Sequence, residues 1–372
     1  MKKIRLGLIG TGGMAKHHIK KYFAELEGVE FTAACDVNKQ AVDDVAAEYG
    51  VKAFYDYRKL LKRGKVDAVM VATPHYFHTP IVINALNKGI HVLTEKPVAV
   101  HALDAAKMNR AYEKSQGLVY AAMFQLRTSP VNKKIKELMN QNVLGRIIRV
   151  NYIITKWFRS QAYYDSGDWR ATWKGEGGGV LLNQCPHNLD LFQWFFGMPK
   201  QVQSLVSLSK WHDIEVEDDI TSVMEFENGA TGVFVTNTIE GPGTDRMEIC
   251  GEYGKILVED GKIMLSKYKD SLLEYSRTTE KRMGLPPVET SEVSVPECEA
   301  GHKIITQNFI NSILDNEPLI APGVDGYNSV ALANAMLMSG LKGKPVEMPL
   351  NERKYANLLK KLIRDAEKNQ QG

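Results

Sequence analysis

The sequence predicts an α/β protein of two domains. A doubly wound parallel sheet comes first, and an α+β domain with a large, mostly antiparallel, open-faced sheet follows. Three observations predict this. A glycine-rich turn joins the first apolar strand to a helix, and strands and helices then alternate as far as residue 124. Beyond that point strands follow one another through hairpin turns such as Asn228-Gly229 and Asp260-Gly261. We therefore expect domains at residues 1–124 and 125–372.

The first element is a strand at Lys3 to Ile9, which runs into Gly10-Thr11-Gly12-Gly13-Met14-Ala15 and then a helix to about Leu26. Gly10 permits a tight turn, and Gly12 leaves the backbone open to a pyrophosphate that the first N–H groups of the helix can face. This is how a dinucleotide-binding βαβ unit opens. Taken alone, the turn also fits an ordinary tight loop.

An acidic residue follows the second strand. Glu30 to Cys35 is apolar and β-rich, and it ends in Asp36, about 20 residues past the glycine turn. A carboxylate there accepts hydrogen bonds from the adenosine ribose hydroxyls and repels a 2′-phosphate. We therefore predict NAD as the cofactor rather than NADP. The alternative is that Asp36 only caps the next helix.

The rest of the first domain alternates regularly. We predict helix Lys39–Tyr49, strand Val51–Tyr55, helix Tyr57–Arg63, strand Val66–Ala72, helix Pro80–Lys88, strand Ile90–Thr94, helix Leu103–Lys114 and strand Leu118–Met123. The strand at 66–72 shows little polar alternation, which is typical of a parallel strand buried on both faces.

The second domain is dominated by strands. We predict a helix at Pro130–Asn140 and strands Arg146–Thr155, Gln201–Leu208, Asp219–Glu227, Thr231–Ile239, Arg246–Gly251, Lys255–Glu259 and Lys262–Leu265. Helices at 188–196, 302–314 and 327–339 should cover one sheet face, and residues 271–299 should form a surface loop. The other face needs a cover, which we expect the same face of a second subunit to supply.

Composition narrows the function classes. Apolar residues make up 44% and charged residues 24%, and 47 basic against 44 acidic side chains give a net charge of +3. This charge does not favour binding to nucleic acid or to a membrane surface. The four cysteines are scattered, and Met1-Lys2-Lys3 precedes too short an apolar run for a signal peptide. We therefore expect a cytoplasmic protein without a metal site.

Two segments carry candidate catalytic groups. Glu95-Lys96-Pro97 follows the carboxyl end of a parallel strand, where doubly wound sheets bind their ligands, so Lys96 could reach a substrate hydroxyl. After three glycines at 177–179, Asn183 and His187 lie four residues apart, which one helical turn would place on one face. Histidine carries protons near neutral pH. The alternatives are a solvated lysine and a packed core histidine.

Aromatic residues and hydrogen-bond donors alternate between these segments. They occupy residues 157–164, with Arg159 and Tyr163, and residues 169–173, with Trp169 and Arg170. Such a surface suits a sugar, which has an apolar C–H face and a hydroxylated rim. Arg159 would favour an anionic substrate such as a uronate. The alternatives are aromatic residues in the core and a solvated arginine.

Four motifs follow one another along the chain: GTGGMA, ATPHYFH, TEKP and GGGVLLNQCPHNLDL. In this order and spacing the chain resembles the Gfo/Idh/MocA oxidoreductases, the family of glucose–fructose oxidoreductase and inositol dehydrogenase, over nearly its whole length. The resemblance implies a Rossmann domain, with Lys96 and His187 matching the family's lysine and histidine. Many members carry aspartate where this chain has Asn183, and asparagine cannot ionise or relay a proton.

The resemblance also implies site contacts. Trp169 and Arg170 match a Trp-Arg pair that approaches the nicotinamide side of the cofactor in relatives. We expect further cofactor contacts from Gly10, Thr11, Gly12, Gly13, Met14, Asp36, Thr73, Pro74, His78, Glu95, Lys96 and Gln125. We expect substrate contacts from Lys96, Arg159, Tyr163, Trp169, Asn183 and His187.

The implied activity is that of an NAD(H)-dependent sugar or cyclitol dehydrogenase that transfers hydride to or from a secondary-alcohol carbon. Lys96 and His187 would be the catalytic groups, and Asn183 would position the substrate. Two alternatives stay open. One is a non-catalytic NAD-binding regulator, and the other is a glycosidase that uses NAD for transient oxidation.

Overall fold

The computed structural model describes residues 3–369 of the chain. They form two compact units. One unit takes the residues up to 128 together with 175–177 and 299–331, and the other takes 129–174, 178–298 and the residues from 332 onward. The division of function between residues 1–124 and 125–372 stays a prediction.

The first unit contains a six-stranded sheet. Its strands are β1 Ile4–Ile9, β2 Val29–Cys35, β3 Lys52–Phe54, β4 Ala68–Val71, β5 His91–Thr94 and β6 Tyr120–Ala122. The order is β3-β2-β1-β4-β5-β6, and every neighbouring pair is parallel. All four residues of β4 are buried, as expected of a strand covered on both faces. The predicted doubly wound parallel sheet is confirmed.

Five helices connect these strands: α1 Gly13–Tyr22, α2 Lys39–Tyr49, α3 Tyr57–Arg63, α4 His75–Leu86 and α5 Ala102–Glu113. Side-chain caps begin three of them, and the His101 ring caps α5 by accepting from the Asp104 N–H. The Asn38 carboxamide accepts from the Ala41 N–H at the start of α2, and the Asp56 carboxylate accepts from the Arg58 N–H at the start of α3. The predicted bounds of α2 and α3 are confirmed.

The helix predicted from Pro80 begins five residues earlier, at His75, so that prediction of its start is wrong. Proline is favoured in the first helical turn and therefore suggested a start there. Here it lies in the helix interior. The preceding turn is held by tertiary contacts, because the ring nitrogens of His78 lie 2.9 Å and 2.7 Å from the carbonyl oxygens of Pro97 and Thr73.

The second unit contains a nine-stranded sheet. Its strands are β7 Ile147–Ile154, β8 Gln201–Leu208, β9 Glu217–Glu225, β10 Thr231–Asn237, β11 Asp245–Gly251, β12 Gly254–Glu259, β13 Lys262–Tyr268, β14 Val288–Glu292 and β15 Val346–Glu347. The order is β14-β13-β12-β11-β7-β10-β9-β8-β15, and only the β7–β10 pair is parallel. The predicted mostly antiparallel sheet is confirmed.

Helices of the second unit are α6 Pro130–Asn140, the short α7 Gln161–Tyr164, α8 Pro186–Phe196, α9 Leu272–Thr278 and α12 Glu352–Asn369. The aromatic ring of Phe192 on α8 packs edge-on against Phe234 of β10, with centroids 6.0 Å apart. The opposite sheet face is more open, and Leu205 on β8 and Val223 on β9 are 77% and 50% exposed. A subunit interface at this face stays a prediction.

The stretch predicted as a surface loop, residues 271–299, contains helix α9 and strand β14, so that prediction is wrong in part. Ser271 caps α9 by accepting from the Glu274 N–H at 3.1 Å. Every residue of β14 is exposed. An edge strand held by backbone pairing to β13 needs no apolar alternation, which is why its sequence gave no strand pattern.

Helix α10, His302–Asp315, belongs to the first unit. Its residues Ile305, Phe309 and Ile310 are buried in the apolar core of the first unit, where α10 contacts α1 and β5, so the prediction that it covers the second sheet is wrong. Helix α11, Gly326–Lys342, starts in the first unit and continues into the second. Among residues 3–369, no helix is both long enough and apolar enough to span a membrane.

Candidate active site

A cavity of about 320 Å³ opens at the carboxyl ends of β1, β2 and β4 in the first unit. Gly10 and Gly12 line it beside the start of α1. Gly10 has φ +95°, and a Cβ there would lie 2.4 Å from the Ala72 carbonyl oxygen, so only glycine fits. At Gly12 and Gly13 an added Cβ would meet nothing within 4 Å. The space over the first helical N–H groups is therefore open to a ligand.

Asp36 lines the same cavity with its carboxylate fixed on both sides. One oxygen accepts from the Thr11 backbone N–H at 2.7 Å and hydroxyl at 3.1 Å, and the other accepts from the Asn38 N–H at 2.9 Å. Since Asn38 caps α2, the alternative role of Asp36 as the cap is wrong. A carboxylate held at this edge fits the ribose hydroxyls of a dinucleotide.

Thr73 and Pro74 also line the cavity, on the turn between β4 and α4. The Thr73 hydroxyl oxygen is buried and has no hydrogen-bond partner among residues 3–369. Buried polar atoms are normally paired, so this hydroxyl fits a site that a polar ligand completes. Met14, on the first turn of α1, is 40% exposed. The open glycine turn, the fixed carboxylate and the orphan hydroxyl together fit NAD.

Glu95, between β5 and Lys96, is buried rather than directed to solvent. Its Oε1 lies 2.7 Å from Nε2 of His18 on α1, and its Oε2 accepts from the Lys96 backbone N–H at 3.1 Å. Burial by itself would raise the pKa of the Glu95 carboxyl, but the hydrogen bond and charge of His18, with the charge of Lys96, lower that pKa to about 2. The segment before Lys96 is thus held by a buried polar contact.

This contact extends further into the first unit. The Tyr22 hydroxyl lies 2.6 Å from Nδ1 of His18 and 3.0 Å from the Thr306 hydroxyl of α10. Sequence reasoning missed His18, although His18 and Tyr22 lie four apart on one face of a helix. Lys96 itself is half-buried, and its peptide bond to Pro97 is cis. Gln125 begins a short 3₁₀ turn after β6.

The glycine run of the second candidate segment lies against backbone, as predicted. A Cβ at Gly179 would lie 1.9 Å from the carbonyl oxygen of Glu217 on β9. Residues 180–185 then form successive turns, with the Asn183 N–H donating to the Gly179 carbonyl at 2.9 Å. Helix α8 begins only at Pro186. Asn183 therefore precedes the helix that carries His187, and the prediction that one helical turn contains both is wrong.

Glu217 is a second buried carboxylate that sequence reasoning missed. Its Oε1 accepts from the Leu181 N–H at 3.1 Å, and its Oε2 has no hydrogen-bond partner among residues 3–369. Burial raises the pKa of this carboxyl to about 7, although backbone N–H groups oppose the rise. The run of three acidic residues at 217–219, at the start of β9, was the available signal. His187, six residues beyond Leu181, is 7% exposed.

The predicted aromatic segment divides into core and surface. Tyr164 and Trp173 are buried, whereas Trp169 is 43% exposed. The guanidinium carbon of Arg170 lies 4.6 Å from the ring centres of both Trp169 and Tyr163, and that of Arg159 lies 5.0 Å from Tyr163. The structure therefore brings together the four predicted residues Arg159, Tyr163, Trp169 and Arg170 in the second unit.

Comparison with known proteins agrees with this geometry. Residues 4–123 match the model of an oxidoreductase family with an NAD-binding Rossmann fold, and residues 132–257 match the C-terminal domain of the same GFO/IDH/MocA group. The chain is similar to the inositol 2-dehydrogenase of Rubrobacter xylanophilus, with 24% identity over 351 residues that cover 92% of this chain and 93% of the relative.

A second relative, the inositol 2-dehydrogenase/D-chiro-inositol 3-dehydrogenase of Shouchella clausii, is 25% identical over 93% of this chain and 95% of its own. Among solved structures, the WlbA dehydrogenase of Bordetella pertussis in complex with NADH and UDP-GlcNAcA superposes with a TM-score of 0.80. That protein is 27% identical, and the match covers 94% of this chain and 100% of that one.

Proposed function

Because the chain belongs to the Gfo/Idh/MocA family of NAD-binding oxidoreductases, we propose that it is an NAD(H)-dependent sugar or cyclitol dehydrogenase or reductase. When bound, NAD supplies the redox chemistry of hydride transfer at nicotinamide C4. The observation that carries the proposal is the cavity of the first unit. There Asp36 fits the ribose hydroxyls of the cofactor, and the open glycine turn fits its pyrophosphate.

Lys96 is proposed to bind the reacting hydroxyl of the substrate. Its ammonium would stabilise the negative charge that develops on the oxygen as the carbon is oxidised. Glu95 supports this role, because its carboxyl has a pKa lowered to about 2 and stays ionised at neutral pH beside the lysine. The hydrogen bond from the Lys96 N–H to Glu95 fixes the backbone from which the lysine extends.

His187 is proposed to take the hydroxyl proton during oxidation and to return it during reduction. Its place in the first turn of α8 is set by the preceding turns, which the Gly179 and Glu217 backbones anchor. Asn183 is proposed to position a substrate hydroxyl with its carboxamide. Asparagine has no ionisable proton, so it neither adjusts the charge of His187 nor relays protons.

The relatives support a polyol or sugar substrate. The two inositol dehydrogenases act on a cyclitol, and the WlbA dehydrogenase was solved with NADH and UDP-GlcNAcA. We propose the same broad substrate class for this chain, with assembly as a homodimer or homotetramer through the open face of the second sheet.

The test is a substrate screen. Purified protein with NAD is offered monosaccharides, cyclitols, anhydrosugars and nucleotide sugars, and NADH is followed at 340 nm. We expect NADH formation with at least one polyhydroxylated substrate. NAD binding without turnover on the panel would instead support a regulator, and release of free sugar from a glycoside without net NADH would support a glycosidase.

A further inference from the structure

We propose that Arg159, Tyr163 and Arg170 form an anion subsite, and that the substrate is a sugar bearing a carboxylate or phosphate group. This inference rests on the proposed function and names its substrate class. The observation behind it is that two guanidinium groups contact one tyrosine ring without a carboxylate between them. A neutral sugar would leave both charges uncompensated.

Arg159 and Arg170 are half-buried and form no ion pair, whereas the other arginines of residues 3–369 that form none are exposed. Four other arginines, Arg5, Arg127, Arg149 and Arg246, each pair with a carboxylate at 2.6–3.1 Å. Within residues 3–369, neither Arg159 nor Arg170 forms an ion pair with a carboxylate. The Arg159 Nε is also buried without a hydrogen-bond partner there. An unpaired buried donor on a cation fits an anionic ligand.

Acidic side chains near the two arginines in sequence or on the neighbouring strand do not pair with them, and several have other partners. Asp165 accepts from the Gln161 carboxamide at 2.9 Å, and Glu215 accepts from the Trp173 backbone N–H at 3.1 Å. Asp218 accepts from three consecutive backbone N–H groups, those of residues 210–212, at 2.9–3.1 Å. Within residues 3–369 none of these carboxylates, nor Asp168, forms an ion pair with either arginine, so a bound anion would be their charged partner.

The arginine pair is also held in place before any ligand arrives. Arg170 Nη1 donates to the Tyr163 hydroxyl at 2.9 Å, and Arg159 Nη1 donates to the Phe158 carbonyl at 2.9 Å. The Arg159 backbone donates to the Thr238 carbonyl beyond β10, and its carbonyl lies 2.9 Å from Nε2 of His212. Because these hydrogen bonds already order the two arginine side chains, binding of an anion here costs little side-chain conformational entropy.

Guanidinium chemistry selects the kind of anion. Its planar array of donors matches the two oxygens of a carboxylate or phosphate, whereas a hydroxyl offers one oxygen and no charge. The phosphates of the cofactor are assigned to the glycine turn of the first unit, which leaves this cluster for the substrate. Trp169, 43% exposed and stacked on Arg170, supplies an apolar surface beside the charges for the C–H face of a sugar.

The experiment compares matched sugars. Glucose with glucuronate and galactose with galacturonate differ only by a carboxylate at C6, while glucose 1-phosphate and glucose 6-phosphate supply the phosphate. We expect kcat/KM for an anionic member to exceed that for its neutral partner by about tenfold or more. Which of the two anions is preferred identifies the group that the subsite takes.

Variants assign the preference to the cluster. Arg159→Gln should raise KM for the anionic sugar by about ten- to a hundredfold, with a small change in kcat, and should raise KM for the neutral sugar by much less. Arg159→Lys should recover part of the loss, since it restores charge without the planar donors. Arg282→Gln removes the same charge from an exposed position and is the matched control. Thermal unfolding of each variant verifies folding.

The outcomes separate this inference from the proposed function. Turnover of neutral sugars at full rate, with no effect of Arg159→Gln on any substrate, would leave the dehydrogenase assignment intact and overturn the subsite. If no sugar is oxidised, titration calorimetry with glucuronate and glucose 6-phosphate in the presence of NADH decides. Binding that Arg159→Gln abolishes supports the subsite without the activity, and absence of binding by every anionic sugar overturns it.

Discussion

The Nε2 atom of His18 lies 2.7 Å from Oε1 of Glu95 in the buried interior of the first unit, and Glu95 directly precedes Lys96 in the chain. Through this contact the glycine-turn helix α1 and the segment after β5 are joined by side chains. The two elements carry the proposed pyrophosphate site and the proposed catalytic lysine. Their relative placement within the unit thus depends on one buried imidazole.

Replacing His18 by alanine should therefore destabilise the first unit. The change leaves the Glu95 carboxylate buried without its partner, which typically costs about 3–5 kcal/mol. His18→Gln keeps a donor and should cost less. Urea unfolding followed by circular dichroism measures the loss, and His17→Ala, at the exposed neighbouring position, is the control. Equal stability of His18→Ala and His17→Ala would contradict the assigned role.

Acid should weaken the same contact. The pKa of Glu95 is about 2 in the fold against an ordinary value of 4.5, so the folded state binds fewer protons than the unfolded chain between these pH values. The stabilisation is present above pH 4.5 and is lost as the pH falls toward 2. We expect the free energy of unfolding to depend less steeply on pH in His18→Ala than in the wild type over this range. Urea unfolding at several pH values within it measures the two slopes.

Glu217 should have the opposite dependence. Its pKa rises from 4.5 to about 7 on folding, so the folded state binds more protons in this range and stability falls as the pH rises through it. A shift of this size corresponds to about 3 kcal/mol. Glu217→Gln should remove this fall in stability with rising pH. Comparison of the free energies of unfolding at about pH 5 and about pH 8 measures the effect. Glu227→Gln, at an exposed position, should keep the wild-type slope.

Lys96→Met should lower kcat by about a hundredfold or more while leaving NADH affinity near normal, because the ammonium acts on the reacting oxygen. The measurements are steady-state rates at 340 nm on the substrate found in the screen and NADH fluorescence titration. Lys88→Met, at an exposed lysine of the same unit, is the control. Wild-type turnover by Lys96→Met on that substrate would refute the role.

Asp36→Ser should move cofactor preference toward NADP. Removal of the carboxylate eliminates its repulsion of a 2′-phosphate, and we expect the NADP to NAD ratio of kcat/KM to rise about tenfold or more. Some stability should be lost as well, since the Thr11 and Asn38 N–H groups lose their acceptor. Asp44→Ser, on the outer face of α2, is the control. An unchanged ratio would count against cofactor selection by Asp36.

Local signals predicted most of the first unit. The uniformly apolar β4 and the capped helices α2 and α3 were within reach because their pattern and their partners lie close in sequence. The glycine turn and Asp36 were within reach for the same reason. What the sequence could not show was which distant element an apolar stripe contacts, so α10 was assigned to the wrong sheet.

In the candidate site, too, residues close in sequence could be predicted and contacts between distant residues could not. Arg159, Tyr163, Trp169 and Arg170 could be named together because they lie within twelve residues of one another. His18 and Glu95 are 77 positions apart, and Glu217 approaches Leu181 across 36. Such pairs leave no periodic pattern in a single sequence. Asn183 and His187 show the opposite case. Their spacing of four residues predicted a shared helical turn, but α8 starts between them.

Helix α10 also determines when the first unit can finish folding. The Tyr22 hydroxyl is hydrogen-bonded to that of Thr306, 284 positions later, and Ile305, Phe309 and Ile310 fill part of the apolar core of the first unit. On the ribosome, domains normally fold as units with the N-terminal one first. Here the first unit must wait for residues 299–331, which are made long after residue 128, so the nascent chain keeps an apolar surface uncovered until α10 has emerged. A fragment ending at residue 124 would retain that surface permanently.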